Sequence, residues 1–216
     1  MMGLTRLKDN IKRPFAIAAT GLFLCSLVLY FAPIGVEHKI AVPVGLLALT
    51  SVWLCPWQMT LALAFSAAGD YFGSAGNFMA QMGSFAMAHI WLIIFFAIRH
   101  QRMQKKAGNG KRFAFGAILC SIVLLGSAFI LIVPRAPAGT LQIGVSIYAC
   151  LICAMLLLAL LQRNILFGLG ASLFVISDFI LAWQLFVSPV HHSGLLIMIP
   201  YYAAQWLIYK KSTSLR

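Results

Sequence analysis

Two carboxylates set in apolar runs of helix length are the residues of this sequence best suited to chemistry: Asp70 in AFSAAGDYFGS and Asp178 in GASLFVISDFILA. The chain has only four acidic residues, and the other two, Asp9 and Glu37, fall in a polar tail and a loop. A carboxylate within hydrocarbon is costly, so it persists either as a functional group or as a polar contact that holds helices together. In one low-dielectric pocket burial favours the neutral form of each acid. If the two are also close, their repulsion leaves one protonated and one ionised, an acid and a base in a single site.

Other polar residues fall into register with them. Ser66, Asp70 and Ser74 recur every four residues, and Asn77 follows three later, which is one face of a helix if the helix runs that far. Such a face cannot look at lipid. The next apolar run adds Gln81, Ser84 and His89, the last readable as a catalytic group or as a hydrogen-bonded interior histidine. Near the C-terminus stand Tyr201, Tyr202 and Gln205. Tyr201 and Gln205 share a helix face, and Pro200 leaves a backbone carbonyl without its usual donor. His191 and His192 lie in a loop, and with His89 and an aspartate they would supply the ligand number of a zinc site. No zinc motif accompanies them, and no metal or other cofactor is expected. The sequence contains neither a phosphate-cradling glycine loop nor a Gly-x-Ser-x-Gly elbow.

Composition says what must hold these residues. The chain is 62% hydrophobic and 9% charged, against about 25% charged in soluble domains. An all-α, polytopic membrane helix bundle is expected, as a single domain over 1–216. The net charge of +12 sits where membrane topology places it, so nucleic acid is not an expected partner. Basic residues ahead of the first apolar run resemble a signal peptide, but no small-residue cleavage site follows, and the run reads as a retained helix. Cys150 and Cys153 sit inside an apolar run, where they read as packing.

Punctuation by charge, Pro and Gly divides the chain into about eight transmembrane helices: 15–31, 40–54, 57–73, 78–98, 113–133, 140–161, 165–187 and 195–209. With both termini on one side, fourteen of the 16 Lys and Arg residues fall on that side, in a basic tail (1–13), a basic loop (99–112), Arg163, Lys210 and a C-terminal tail (211–216). Lys39 and Arg135 fall on the other. This places both termini in the cytoplasm, with a bacterial cytoplasmic membrane as the expected location. Asp70 and Asp178 each lie 13 residues into their helix, roughly 20 Å from the cytoplasmic face of a core about 30 Å thick. Each occupies the third helix of its half, as Gly69-Asp70-Tyr71 and Ser177-Asp178-Phe179, which suggests two parallel four-helix repeats.

Four segments in order, SAAGD (66–70), GSFAMAHI (83–90), GASLFVISD (170–178) and YYAAQWL (201–207), resemble the YhhN-like lysoplasmalogenase family of eight-span membrane hydrolases. Lys39 with Pro43 is similar to the Lys-Pro entry of that family's second helix. The resemblance implies hydrolysis of the vinyl ether bond of a lysoplasmalogen, giving a fatty aldehyde and a glycerophospho-alcohol, with a lysophospholipid and the bilayer as partners. It implies Asp70, Asp178 and His89 as catalytic residues. Ser66, Ser74, Asn77, Lys39, Ser177, Tyr201, Tyr202 and Gln205 are implied on the substrate, with Lys39, His191, His192 and Arg135 available to a phosphate at the outer surface. Some relatives carry Asn at the position of Asp178, so Asp70 is the acid expected to be indispensable. Vinyl ether hydrolysis begins with proton transfer to carbon and passes through an oxocarbenium ion, so an acid, a stabilising anion and a water activator fit it.

Two other classes use the same residues differently. A small proton-coupled transporter would load and release protons at the Asp70/Asp178 pair, and a lipid-binding scaffold would use both acids as helix glue. Aldehyde formation separates the first reading from both.

Overall fold

The computed structural model describes residues 2–33, 35–104 and 111–215, the side chains of 2–13, 104 and 111–113 excepted. Residues 105–110 of the expected basic loop and Arg216 of the C-terminal tail lie outside the described residues. Eight helices follow in order: α1 (Met2–Phe31), α2 (Val42–Leu54), α3 (Trp57–Ser74), α4 (Phe78–Gln104), α5 (Lys111–Leu131), α6 (Thr140–Leu160), α7 (Ile165–Phe186) and α8 (Ser193–Thr213). Short 3-10 turns, Lys39–Ala41 and Val133–Arg135, precede α2 and α6. Five helices, α1, α4, α5, α6 and α7, are long and apolar enough to cross a membrane. The fold is a polytopic helical bundle. One boundary moves far: the helix expected from residue 15 begins at Met2, because Pro14 removes one donor without stopping the backbone.

Local chemistry sets the breaks. Cys55 closes α2 in extended backbone and Pro56 opens α3. Gly76 adopts φ 74 between α3 and α4, a left-handed turn that glycine makes without strain. The Asn164 side chain caps α7 by accepting from Leu166 N and Phe167 N at 3.2 and 3.4 Å, satisfying two of the orphan donors of a helix start.

Packing follows the chain. α3 packs on α4 and α7 on α8 as two intimate pairs, while α4 against α6 and α2 against α8 join the halves. A shift by four helices carries the main contacts onto one another: α1–α2 onto α5–α6, α2–α3 onto α6–α7, α3–α4 onto α7–α8, and α4–α6 onto α8–α2. Helix adjacency thus repeats with an offset of four helices. Each intimate pair closes on a glycine. A Cβ at Gly69 would lie 2.8 Å from the Phe85 ring, and one at Gly170 would lie 2.7 Å from Ile208 Cγ1 and 3.2 Å from the Ala204 carbonyl. Without side chains there, α3 closes on α4 and α7 closes on α8.

Candidate active site

Asp70 lies at the fourteenth position of α3 and Asp178 at the fourteenth of α7. Asp70 is buried, 3% exposed, and its Oδ2 accepts a hydrogen bond from the Tyr201 hydroxyl of α8 at 2.9 Å. Asp178 keeps 14% of its side chain exposed, and its Oδ2 accepts from the Tyr148 hydroxyl of α6 at 2.5 Å. His89 of α4 is fully buried, with Nε2 3.5 Å from the same carboxylate oxygen and 3.1 Å from Tyr148 Oη.

Hydrogen bookkeeping fixes the histidine. Tyr148 has one proton and gives it to Asp178, so towards His89 its oxygen can only accept, and His89 Nε2 must be the donor. Nδ1 is buried without a hydrogen-bond partner among the described residues. His89 thus orients Tyr148, and Tyr148 orients Asp178.

Aromatic rings separate the two acids' partner sets. The Phe174 ring meets His89 at 4.9 Å and Tyr201 at 5.5 Å, and Phe85 meets Phe174 at 6.4 Å and Tyr201 at 5.8 Å, all edge-on. One open cavity of about 450 Å³ is nevertheless lined by both acids. Ser74, Ser177, Gln81, Phe85 and Tyr201 share its wall, and Tyr30 and Ile40 close its rim. Two smaller apolar clefts, about 80 Å³ between α5, α6 and α7 and about 50 Å³ between α4, α6 and α7, both end on Tyr148 and Asp178. Asp178 thus stands where a roomier chamber with polar groups meets narrow apolar slots, and Asp70 lines only the chamber.

The remaining expected residues divide. Ser74 sits on the cavity wall, donating to the Tyr71 carbonyl and bonded to His38 Nδ1, each at 2.7 Å. Ser177 donates to the Ile197 carbonyl at 2.9 Å, beside the carbonyl that Pro200 leaves without a helical donor. Ser66 and Gln205 are buried at 1% and 2% exposure, one helical turn from Asp70 and Tyr201 respectively. Tyr202 turns away, donating to the Ile40 carbonyl at 2.8 Å and packing edge-on against Tyr30. Lys39 donates to the Ala32 carbonyl at 2.7 Å and stands 5.9 Å from the Tyr30 ring, behind the rim. Asn77 does not continue the Asp70 face. α3 stops at Ser74, and the Asn77 side chain instead accepts from Ala80 N at 3.1 Å as the cap of α4. His191 and His192 meet edge-on, ring centroids 3.9 Å apart, and no metal-holding group of three His, Cys, Asp or Glu occurs among the described residues.

Tyr148 is the residue that sequence reading passed over. Its signal was present: a lone phenol amid the apolar run of α6 needs a partner for its hydroxyl. Nothing in the sequence names that partner, which lies 30 residues away on another helix.

The family model described as the YhhN family matches residues 38–212 of this chain. A human protein named lysoplasmalogenase TMEM86B is 33% identical over 148 residues, covering 68% of this chain and 59% of the human protein. Cattle lysoplasmalogenase TMEM86A is 30% identical over 164 residues, covering 70% of this chain and 63% of its own length. The chain thus spans roughly three-fifths of each of these relatives. No solved structure matches.

Proposed function

Because the chain belongs to the YhhN family, we propose that it is a lysoplasmalogenase, cleaving the vinyl ether bond of a lysoplasmalogen within the membrane. The observation that carries this reading is the single cavity lined by both Asp70 and Asp178.

The two acids differ in a way that divides the labour. Asp178 has the donors that suit an anion, Tyr148 directly and His89 behind it, whereas Asp70 has one neutral phenol and deeper burial. Two negative charges in one cavity repel, so the shared proton resides on Asp70. Asp70 gives that proton to the vinyl carbon remote from the ether oxygen, forming an oxocarbenium ion. Asp178 stabilises the cation and takes a proton from the water that attacks it. The resulting hemiacetal loses its hydroxyl proton as the carbon–oxygen bond to glycerol breaks, and the departing alkoxide takes a proton back from the pair. One water is consumed, the acids end as they began, and the products are a fatty aldehyde and a glycerophospho-alcohol.

The surroundings suit a substrate with one chain. Ser74, Gln81 and Tyr201 offer polar contacts on the chamber side, with Lys39 behind Tyr30, and the two apolar clefts offer the slot for the alkenyl chain. The remaining polar residues support this wall: Ser66 beneath Asp70, Ser177 pinning α8, Tyr202 and Gln205 holding Tyr201 in place, and Asn77 starting α4. The basic residues at one end of the bundle support a cytoplasmic location for both termini in a bacterial cytoplasmic membrane, which fusion of a periplasm-dependent reporter to the C-terminus would check. For activity the decisive experiment is aldehyde release from lysoplasmalogen by the purified protein and its Asp70→Asn and Asp178→Asn variants. Release by wild type and loss in the variants supports the reading, and wild-type rates in both variants overturn it.

A further inference from the structure

We propose that the opening between the start of α3 and the end of α4 binds the phosphate of an anionic phospholipid, at a site separate from the Asp70/Asp178 cavity. The opening has a volume of about 540 Å³. Arg99 and Arg102 line it from α4, with Trp57 and Gln58 from α3, Phe95, and Leu215 beyond α8.

The two arginines stand three residues apart, on one face of α4. Arg99 holds its guanidinium 5.5 Å from the centroid of the Phe167 ring, and its Nε is buried with no hydrogen-bond partner among the described residues. Neither arginine has an ion pair among the described residues. Of the described acids, Asp70 and Asp178 belong to the other cavity, and Glu37 lies in the connection between α1 and α2. Two guanidinium groups held on one wall repel until an anion sits between them, and their planar forks match phosphate oxygens two at a time.

The rest of the wall says what kind of phosphate. Phe95, Ile98, Met103 and Leu215 make it mostly apolar, which free phosphate would not use. Trp57 is 59% exposed and packs edge-on against Trp91 at 5.3 Å, the arrangement of an aromatic belt at headgroup depth. Arg99 lies ten residues along α4 from His89, roughly 15 Å away, so one lysophospholipid phosphate cannot serve both places during the reaction. A basic pocket between helix ends with apolar walls takes an anionic headgroup above its acyl chains, and the lipid so held would brace α3 and α4, the pair that carries Asp70 and His89.

The test uses the full chain, delipidated in a neutral detergent, with thermal melting followed against dioleoylphosphatidylglycerol, dioleoylphosphatidylcholine and inorganic phosphate. Phosphatidylglycerol should raise the melting temperature saturably, and the other two should not. In Arg99→Gln/Arg102→Gln the midpoint of that rise should weaken roughly tenfold or more, the scale of lost charged hydrogen bonds, while aldehyde release in neutral detergent stays at the wild-type rate. If the double variant does not purify as a single species, Arg102→Gln and Arg99→Lys carry the same expectation, since the first side chain is exposed and the second keeps the charge but loses the fork. An unchanged midpoint in the variants, an equal rise with phosphatidylcholine, or an equal rise with inorganic phosphate would each overturn the proposal.

Discussion

Tyr148 on α6 donates its hydroxyl hydrogen to Asp178 on α7 at 2.5 Å, and His89 on α4 stands 3.1 Å behind that hydroxyl. Three helices therefore converge on one carboxylate oxygen. Tyr148→Phe keeps the ring packed against His89 and removes only the donor. Loss of a hydrogen bond to a charged group is worth about 1.5–3 kcal/mol, so aldehyde release should fall roughly tenfold to a hundredfold. Steady-state kinetics on protein with wild-type melting behaviour would check this, and an unchanged kcat would remove Tyr148 from the reaction.

The aspartates should not be equivalent. Asp70→Asn deletes the proton donor, and general acid catalysis contributes about 10²–10⁴-fold, so activity should fall by that range. Asp178→Asn still offers Tyr148 a carbonyl oxygen and loses only the charge, so a residue of activity should remain above that of Asp70→Asn. Equal loss in the two variants or the reverse ranking in single-turnover assays would reassign the acid.

Ala182 lines both apolar clefts, so Ala182→Phe should fill them together. Each methylene kept out of an apolar slot forfeits ~0.8 kcal/mol. KM for long alkenyl chains should therefore rise roughly tenfold while short-chain substrates are little affected. Comparing the two chain lengths checks the slot, and an equal effect on both would place the chain elsewhere.

Gly170 and Gly168 lie on the same helix but face different neighbours. A Cβ at Gly170 would press on Ile208 and the Ala204 backbone, whereas at Gly168 its nearest neighbour is Leu160 Cδ2 at an ordinary 3.5 Å. Gly170→Ala should cost about 1–3 kcal/mol, the range for overpacking, and Gly168→Ala should be close to neutral. Thermal melting of the pair in one detergent would measure the contrast.

How much could be read without coordinates depended on the range of the interaction. Asp70 and Asp178 announced themselves, because an acid within an apolar run is costly in any fold. The eight helices were also legible, since each apolar run is local and its breaks at Pro56, Gly76 and Asn164 are single-residue chemistry. The Ser66–Asp70–Ser74 face was readable from helical spacing, but its extension to Asn77 was not, because whether α3 passes Gly76 depends on what α4 needs at its start.

What the sequence determined by itself was therefore the solvent, the helices, and the matching place of the two carboxylates along α3 and α7, all consequences of residue type and spacing along one chain. Only the tertiary structure decided which donors each carboxylate meets. Tyr201 reaches Asp70 across 131 residues, and Tyr148 and His89 reach Asp178 from two other helices. Those pairings join α3 to α8, and α7 to α6 and α4, and packing of that kind, between side chains distant in sequence, leaves no periodic trace in any one helix.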